Sequence, residues 1–289
     1  MGSFDNKKQI RFLITLGSGE FDKKGANQVT LEGYRSSVSC ENAGWLQMGT
    51  LKAKIFGMSE SDMRTITSYP FNIATDKQNT IVVSAIDGES ESIFFAGNIV
   101  KAWPDFGSMP DVGFIIQAQS AMSAAIKSVS PRSFKSGCDV SDIMRQIATS
   151  MGFLFEDAGV NVKLHDVYLP NTELEQAREL AKISGIEFTI DRNIFAIWPN
   201  GSHRNAMIPL VSKDTGLCGY PNFDGTFITF TTLYNKNIIP GGLIKVESGN
   251  INSSGQWKVL SLSHAMDSEK PGGSWFSNVR CVALDYYGK

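Results

Sequence analysis

Along the first 121 residues, apolar and polar positions alternate with the period of a β-strand. Ile10, Phe12, Ile14 and Leu16 alternate with Arg11 and Thr15, and Val29 and Leu31 alternate with Thr30 and Glu32 before the pattern fades into Ser36-Ser37. Further strands are predicted over Leu51–Phe56, Thr80–Ile86, Ile93–Val100 and Gly113–Gln119, parted by turn formers such as Asp87-Gly88 and Trp103-Pro104-Asp105. Many short strands at this spacing imply a small barrel or sandwich. One short helix is predicted over Ser59–Ile66, with Ser59 as its cap and Asp62 three residues on.

The period changes in the middle of the chain. Val140, Ile143, Met144, Ile147 and Met151 recur at helical spacing between Asp139, a predicted N-cap, and Gly152, a predicted C-terminal stop. A second helix is predicted from Thr172 to about Ser184, with Thr172 and Glu175 at capping-box spacing and Gly185 closing it. The two segments form a weak repeat at an offset of 33 residues, Asp139 matching Thr172 and Gly152 matching Gly185. Gly152-Phe153-Leu154-Phe155 also matches Gly185-Ile186-Glu187-Phe188, so each copy is a capped helix, a glycine turn and a strand. A hairpin follows, turning at Asp191-Arg192-Asn193 and returning over Ile194–Trp198. Two copies are too few for a solenoid, and the segment reads as a compact insert.

From about Met207 the strand pattern returns, over Phe227–Leu233, Leu243–Glu247, Trp257–His264 and Val279–Asp285, with Pro199–Arg204 as the linker into it. The fold class expected is mainly β with an α/β insert: two small antiparallel β-barrels flanking a helix–strand insert. The expected domains are 1–121 for the first barrel, 122–204 for the insert and 205–289 for the second barrel.

Composition narrows what such a chain can do. Over 289 residues, a hydrophobic share of 42% is globular and sufficient for more than one modest core. A net charge of −2, with both signs interspersed, gives no electrostatic footprint for nucleic acid. No apolar run approaches the length that spans a bilayer, and Met1–Lys8 lacks the apolar centre of a signal peptide, so no membrane insertion is expected. Cys40, Cys138, Cys218 and Cys281 are too scattered for a zinc site and read as reduced thiols. The sequons at Asn200 and Asn252 read as chance matches.

The motifs of catalysis are not found. The sequence has no nucleophile elbow, P-loop, zinc-protease helix or dinucleotide fingerprint, and Gly17-Ser18-Gly19 reads as a turn after a strand. His165, His203 and His264 are the histidines, and His264, on the strand face shared by Leu260 and Leu262, reads as a hydrogen-bonded structural residue. Glu89 and Glu91, and Asp267 and Glu269, are carboxylate pairs in polar turns and read as solvated surface charge. Phe94-Phe95, Trp198, Trp257, Trp275 and Phe276 read as core or interface aromatics. No catalytic, cofactor-binding or metal-binding residue is predicted.

Two segments are more specific. One is Ile238-Ile239-Pro240-Gly241-Gly242-Leu243-Ile244-Lys245-Val246. The other runs Gly255-Gln256-Trp257-Lys258-Val259 through Ser263-His264, then Glu269-Lys270-Pro271-Gly272-Gly273-Ser274-Trp275-Phe276, ending near Cys281. Together they resemble the C-terminal barrel of phage baseplate hub proteins, a family that includes the T-even phage hub, the late-control gene D protein and the hub part of type VI secretion spikes. The resemblance is strongest over 238–284 and takes in the helix–Gly–strand units of the insert. Its signature positions are Pro240, Gly241, Gly242, Trp257, His264, Pro271, Gly272, Gly273 and Trp275, carried over in a structural role.

The resemblance implies a homotrimer whose three chains offer six similar barrels in a ring, with the insert projecting outward. That ring would adapt a six-fold tail tube to a three-fold central spike and leave a channel for tape-measure protein and DNA. The implied partners are tail tube protein, central spike protein, tape-measure protein and wedge proteins, in the virion baseplate, assembled in the host cytoplasm. Puncturing and wall cleavage are expected of other proteins. A tail-associated cell-wall hydrolase, or the hub of a contractile injection device or tail-like bacteriocin, stays open as the alternative.

Overall fold

A computed structural model of the chain describes residues 8–21, 25–42, 44, 47–68, 78–135, 137–249 and 251–284. Residues 1–7 of the N-terminal stretch and Asp285 of the last predicted strand lie outside these residues. In chain order come Lys8–Thr15 (β1), Gln28–Leu31 (β2), Ser36–Asn42 (β3), Thr50–Phe56 (β4), Glu60–Ile66 (α1), Thr80–Asp87 (β5), Ser90–Asp105 (β6) and Gly113–Gln119 (β7). The middle holds Met122–Ile126 (α2), Arg132–Phe134 (β8), Cys138–Asp139 (β9), Val140–Ser150 (α3), Leu154–Asp157 (β10), Lys163–Leu164 (β11), Val167–Leu169 (β12), Glu173–Ser184 (α4), Ile186–Asp191 (β13) and Ile194–Pro199 (β14). Then follow Leu210–Val211 (β15), Leu217–Phe223 (β16), Phe227–Leu233 (β17), Leu243–Val246 (β18), Gly255–Ser268 (β19) and Trp275–Ala283 (β20). The mainly β class with a helix–strand segment in its middle is as expected.

The chain divides into two compact units. The first comprises Met1–Glu41, Gly49–Ser120 and Ser263–Ser277; the second comprises Asn42–Met48, Ala121–Leu262 and Asn278–Lys289.

In the first unit the strand order is β3-β4-β7-β6-β5-β1-β2, with the later part of β19 beside β3. Alternation along β1 buries Ile10, Phe12 and Ile14 completely, and they share the core with Ile55, Ile81, Phe114 and Ile116. This order is a path with two ends rather than a ring, so the expected closed barrel is not formed. The reason is visible at β1. Where a closing ladder would run, Ile10 N–H donates to the Ser268 hydroxyl (3.2 Å) and Gln9 Nε2 donates to Glu269 Oε1 (2.8 Å). Side chains bridge the gap, and the chain turns at Glu269, which has φ of +52°. β3 was not foreseen. Its inward positions are Ser36, Val38, Cys40 and Asn42, too polar to register as an apolar alternation.

The second unit holds two large cores and a small cluster of Ala158, Ala196 and Trp198. In one, α3 and α4 pack with the three-stranded sheet β10-β14-β13, burying Ile143, Met144, Ile147, Leu174, Leu180 and Phe195. Phe188 and Phe195 stack with centroids 4.9 Å apart. The weak repeat is real in space: β10 runs parallel to β14 and β13 antiparallel to it, so the two helix–strand copies flank β14 in opposite directions. Their caps hold as predicted. Asp139 accepts from Ser141 N–H and Thr172 accepts from Glu175 N–H. Gly152 has φ of +82° and its neighbour Phe153 N–H reaches back to Ala148 C=O (2.9 Å), the bond of a Schellman ending. Gly185 has φ of +65° and donates to Ala181 C=O, the simpler left-handed ending.

The other core lies on a sheet of order β16-β17-β20-β19-β18-β15, again open at both ends, and contains Ile228, Phe230, Ile244, Trp257, Val259 and Val279. The second closed barrel is therefore corrected as well. One end is β16, whose register with β17 shifts between Cys218 and Asn222, and the other is the two-residue β15. The two-residue β15 is too short to ladder along β16.

Candidate functional site

The two Pro-Gly-Gly segments fold alike. In Ile239-Pro240-Gly241-Gly242, Gly242 N–H donates to Ile239 C=O (3.1 Å), and in Lys270-Pro271-Gly272-Gly273, Gly273 N–H donates to Lys270 C=O (3.0 Å). Proline presets the second position and glycine takes the positive φ of the third, +77° at Gly241 and +66° at Gly272, the requirements of a type II turn. Their surroundings differ. Gly272 faces open space, whereas a Cβ on Gly241 would stand 2.6 Å from Trp198 Cη2. Gly241 is thus required twice, for its backbone angle and for the closeness of the indole.

The buried turn is also wired by hydrogen bonds. Gly241 N–H donates to Val259 C=O and Val259 N–H donates to Gly242 C=O, both at 2.9 Å, which ties it to β19. Arg204 N–H donates to Gly241 C=O (2.8 Å), and the guanidinium of Arg204 reaches Pro240 C=O (3.4 Å). That guanidinium, 2% exposed, grips the Glu156 carboxylate with two bonds, Nε to Oε1 at 2.9 Å and Nη2 to Oε2 at 2.6 Å. Pro199–Arg204 was expected as a linker, but Pro199 ends β14 and Arg204 is among the most buried cations of the unit. A two-pronged carboxylate partner on β10 draws it in.

A second buried pair lies beside the same indole. Lys258 Nζ donates to both Glu187 oxygens at 3.0 Å, and Trp198 Nε1 donates to Glu187 Oε2 at 3.0 Å. The ammonium lies 5.6 Å from the centre of the Trp198 ring. Burial lowers the Lys258 pKa, and the Glu187 charge and hydrogen bonds oppose that shift. Arg192, in the β13–β14 turn with φ of +51°, donates to Lys236 C=O (2.7 Å) and Ile238 C=O (3.1 Å), holding the approach to Pro240. Trp198, Glu187, Lys258, Arg204 and Glu156 were not singled out as a group from sequence. Only the aromatic character of Trp198 gave any local signal.

Of the remaining signature positions, Trp257, His264 and Trp275 are buried. Trp257 is buried, donates its indole N–H to Ser253 C=O (3.2 Å) and meets Phe223 edge-on. His264, 5% exposed, is hydrogen-bonded through Nδ1 to the Ser277 hydroxyl (2.8 Å) and meets the Phe94 ring edge-on. Trp275 is buried with Lys8 Nζ 5.9 Å from its ring centre. Pro240–Gly242 and Trp257 belong to the second unit, and His264, Pro271–Gly273 and Trp275 to the first.

Asp267 corrects the reading of surface charge. Its carboxylate accepts from Ser37 Oγ (2.5 Å), Ser274 N–H (2.8 Å) and Lys270 Nζ (3.3 Å), organising the turn that carries Pro271–Gly273. Burial opposes its charge, but the hydrogen bonds from Ser37, Ser274 and Lys270 outweigh that and hold its pKa below the usual carboxylate value. Glu269 accepts from Gln9, and Glu91 pairs with Arg11, so three of the four paired carboxylates have partners distant in sequence. The other two histidines contact backbone: His165 Nδ1 accepts from Gly137 N–H (3.2 Å), and His203 Nδ1 lies 3.0 Å from Arg204 C=O. None of the four cysteines is in a disulfide, and burial pushes the Cys281 thiol well up. These contacts shape two turns, each held by side chains from far along the chain.

Comparison with known proteins gives that shape a setting. No curated protein matches the chain in sequence. By structure it is similar to the 43 kDa tail protein of prophage MuSo2 from Shewanella oneidensis, at 10% identity and a TM-score of 0.62, over 95% of this chain and 97% of that one. It is similar to a tail protein of Neisseria meningitidis MC58 at 9% identity and a TM-score of 0.66, over 96% and 98%. The E. coli c3393 protein, a component of the type VI secretion system, matches at 9% identity and a TM-score of 0.57, over 86% and 73%. These likenesses establish a shared fold. Residues 23–271 match the sequence family of the baseplate hub gp41, so the chain belongs to that family of phage tail structural proteins.

Proposed function

We propose that this chain is the structural hub of a phage tail baseplate, acting as a homotrimeric ring. The ring adapts a six-fold tail tube to a three-fold central spike and leaves a channel for tape-measure protein and DNA. Its neighbours are the tail tube protein, the central spike protein, the tape-measure protein and wedge proteins, and it is assembled in the host cytoplasm. The match of residues 23–271 to a baseplate hub family carries this reading. Two compact, strand-rich units per chain support it, since three chains then offer six units around an axis. The division into 1–121, 122–204 and 205–289 belongs to the same proposal, as does the structural role of Pro240, Gly241, Gly242, Trp257, His264, Pro271, Gly272, Gly273 and Trp275.

The role is one of shape rather than catalysis. Near-neutral charge suits a wall past which DNA moves without being gripped. Two measurements test the proposal. A cryo-EM reconstruction of the assembled tail tip should hold three copies about a three-fold axis; six copies, or one copy on a surface fibre, would overturn it. Zymography on intact cell walls should give no clearing by the purified protein, and clear lysis would replace the structural reading with a hydrolase.

A further inference from the structure

Within the second unit, the helix–strand core and the sheet core meet through charges rather than through one shared apolar layer. The arrangement follows from the alternation of side chains along β10, β13 and β14. Phe188, Ile190, Phe195 and Ile197 belong to the core shared with α3 and α4. The residues between them turn the other way. That opposite face carries Glu156 on β10, Glu187, Thr189 and Asp191 on β13, and Ala196 and Trp198 on β14, with Glu156 beside Ala196 and Glu187 beside Trp198. Its buried apolar residues, Ala158, Ala196 and Trp198, form a small cluster apart from both large cores.

Three cations answer these three carboxylates, and each ties the face to the second sheet or to its loops. Lys258 comes from β19 and donates through Nζ to both Glu187 oxygens at 3.0 Å. Arg204 comes from the segment that leads to β15. It takes Glu156 with two bonds, stands 3.8 Å from Asp191 and donates its backbone N–H to Gly241 C=O. Arg192 stands 3.5 Å from Asp191 and donates to the carbonyls of Lys236 and Ile238, between β17 and β18. Lys258, Arg204 and Asp191 are buried.

Such a joint adds little by strength, because replacing a buried ion pair with apolar side chains of similar volume is often neutral or stabilising. What the charges add is direction. Hydrophobic burial is non-directional and tolerates sliding, whereas a forked arginine–carboxylate pair fixes distance and angle together. The anchors also avoid a single line. Glu187 and Asp191 lie toward opposite ends of β13, and Glu156 lies across β14 on β10. Three points off one line define an orientation.

We propose that Glu156, Glu187 and Asp191, with Lys258, Arg204 and Arg192, form an orientation lock. It sets the angle between the helix–strand segment and the second sheet, and it holds neither of them together. Each body has its own large apolar core, so loss of the lock leaves both folded and frees the angle between them. The lock is a property of a single chain, and its failure leaves the ring proposed above untouched.

The test is double electron–electron resonance on the full chain, spin-labelled at Lys182→Cys on α4 and Thr229→Cys on β17. Both positions are exposed, and Cys138→Ala and Cys218→Ser keep the labels specific. The native joint should give one narrow distance. Lys258→Met/Glu187→Leu combined with Arg204→Met/Glu156→Leu removes two anchors at similar volume. It should broaden or split that distance while melting temperature and circular dichroism stay near native values. A distance as narrow as the native one in this folded variant overturns the lock. Where the charge-free variant does not fold, Arg204→Lys decides, since it keeps the charge and loses the fork. A broadened distance then upholds the lock, and an unchanged narrow one overturns it. Loss of folding by Arg204→Lys overturns it too, because the pair would then hold the fold itself.

Discussion

Gly241→Ala and Gly272→Ala make the same chemical change in the same turn type, and the structure assigns them different costs. Both residues hold positive φ, +77° and +66°, so each alanine costs roughly 1 kcal/mol of left-handed backbone strain. At Gly272 nothing else lies within 4 Å of the new methyl, and the cost stops there. At Gly241 the methyl would lie 2.6 Å from Trp198 Cη2 and 2.7 Å from Cζ2, where unstrained carbons keep about 3.5–4.0 Å. The indole must retreat by about 1 Å, yet its N–H is bonded to Glu187 and Lys258 lies beside its ring. Overpacking of this kind costs about 1–3 kcal/mol, so Gly241→Ala should lose roughly 2–4 kcal/mol in all. For a chain of 289 residues that corresponds to roughly 3–7 °C in melting temperature. Thermal and urea unfolding, followed by far-UV and near-UV circular dichroism, would measure both variants. In a Trp198→Phe background the clashing ring atoms are gone, and the two glycine penalties should converge. Equal losses for Gly241→Ala and Gly272→Ala in the native background would refute the assignment of Gly241 to a steric contact with Trp198.

The Lys258–Glu187 pair should behave asymmetrically: Glu187→Gln leaves an ammonium 3% exposed without its counter-charge and should cost about 3–5 kcal/mol in urea unfolding, while Lys258→Met/Glu187→Leu should recover most of it. A loss under about 1 kcal/mol for Glu187→Gln contradicts this. Asp267 has its pKa lowered by folding, so the unfolded chain binds more protons between the two values. Its stabilisation is complete above the ordinary aspartate value and is lost as pH falls through the folded one. Melting temperature plotted against pH should therefore fall more steeply at acid pH for the native chain than for Asp267→Asn, and parallel curves would remove Asp267 as a contributor. Gly152→Val, at φ of +82° with open space around it, should cost on the order of 1 kcal/mol through backbone strain alone, measured by the same unfolding curves.

How much of this was legible in the sequence follows from how far each interaction reaches. Helix limits were legible because caps are local: Asp139 bonds to Ser141 and Thr172 to Glu175, and Gly152 and Gly185 take angles that other residues resist. The alternation of Ile10, Phe12 and Ile14 exposed β1 because a strand with one buried face must repeat every second residue. Both Pro-Gly-Gly turns were legible for the same steric reason. The sequence was silent where tertiary contacts decide the environment. β3 buries Ser36 and Asn42, β16 runs through Gly219 and Pro221, and Trp257, Lys258 and Val259 are buried in succession against the alternation of a two-faced strand. Whether the sheets close depended on Ser268 and Glu269 meeting β1 through side chains, and those partners are more than 250 residues apart, 258 for Ile10 and Ser268. Lys258 and Glu187 are separated by 71 residues, and Arg204 and Glu156 by 48. Turn angles and strand periods are properties of a few neighbouring residues and are written locally. The burial of a charge, and the identity of the carboxylate that makes that burial tolerable, exist only once the chain has brought distant segments into contact.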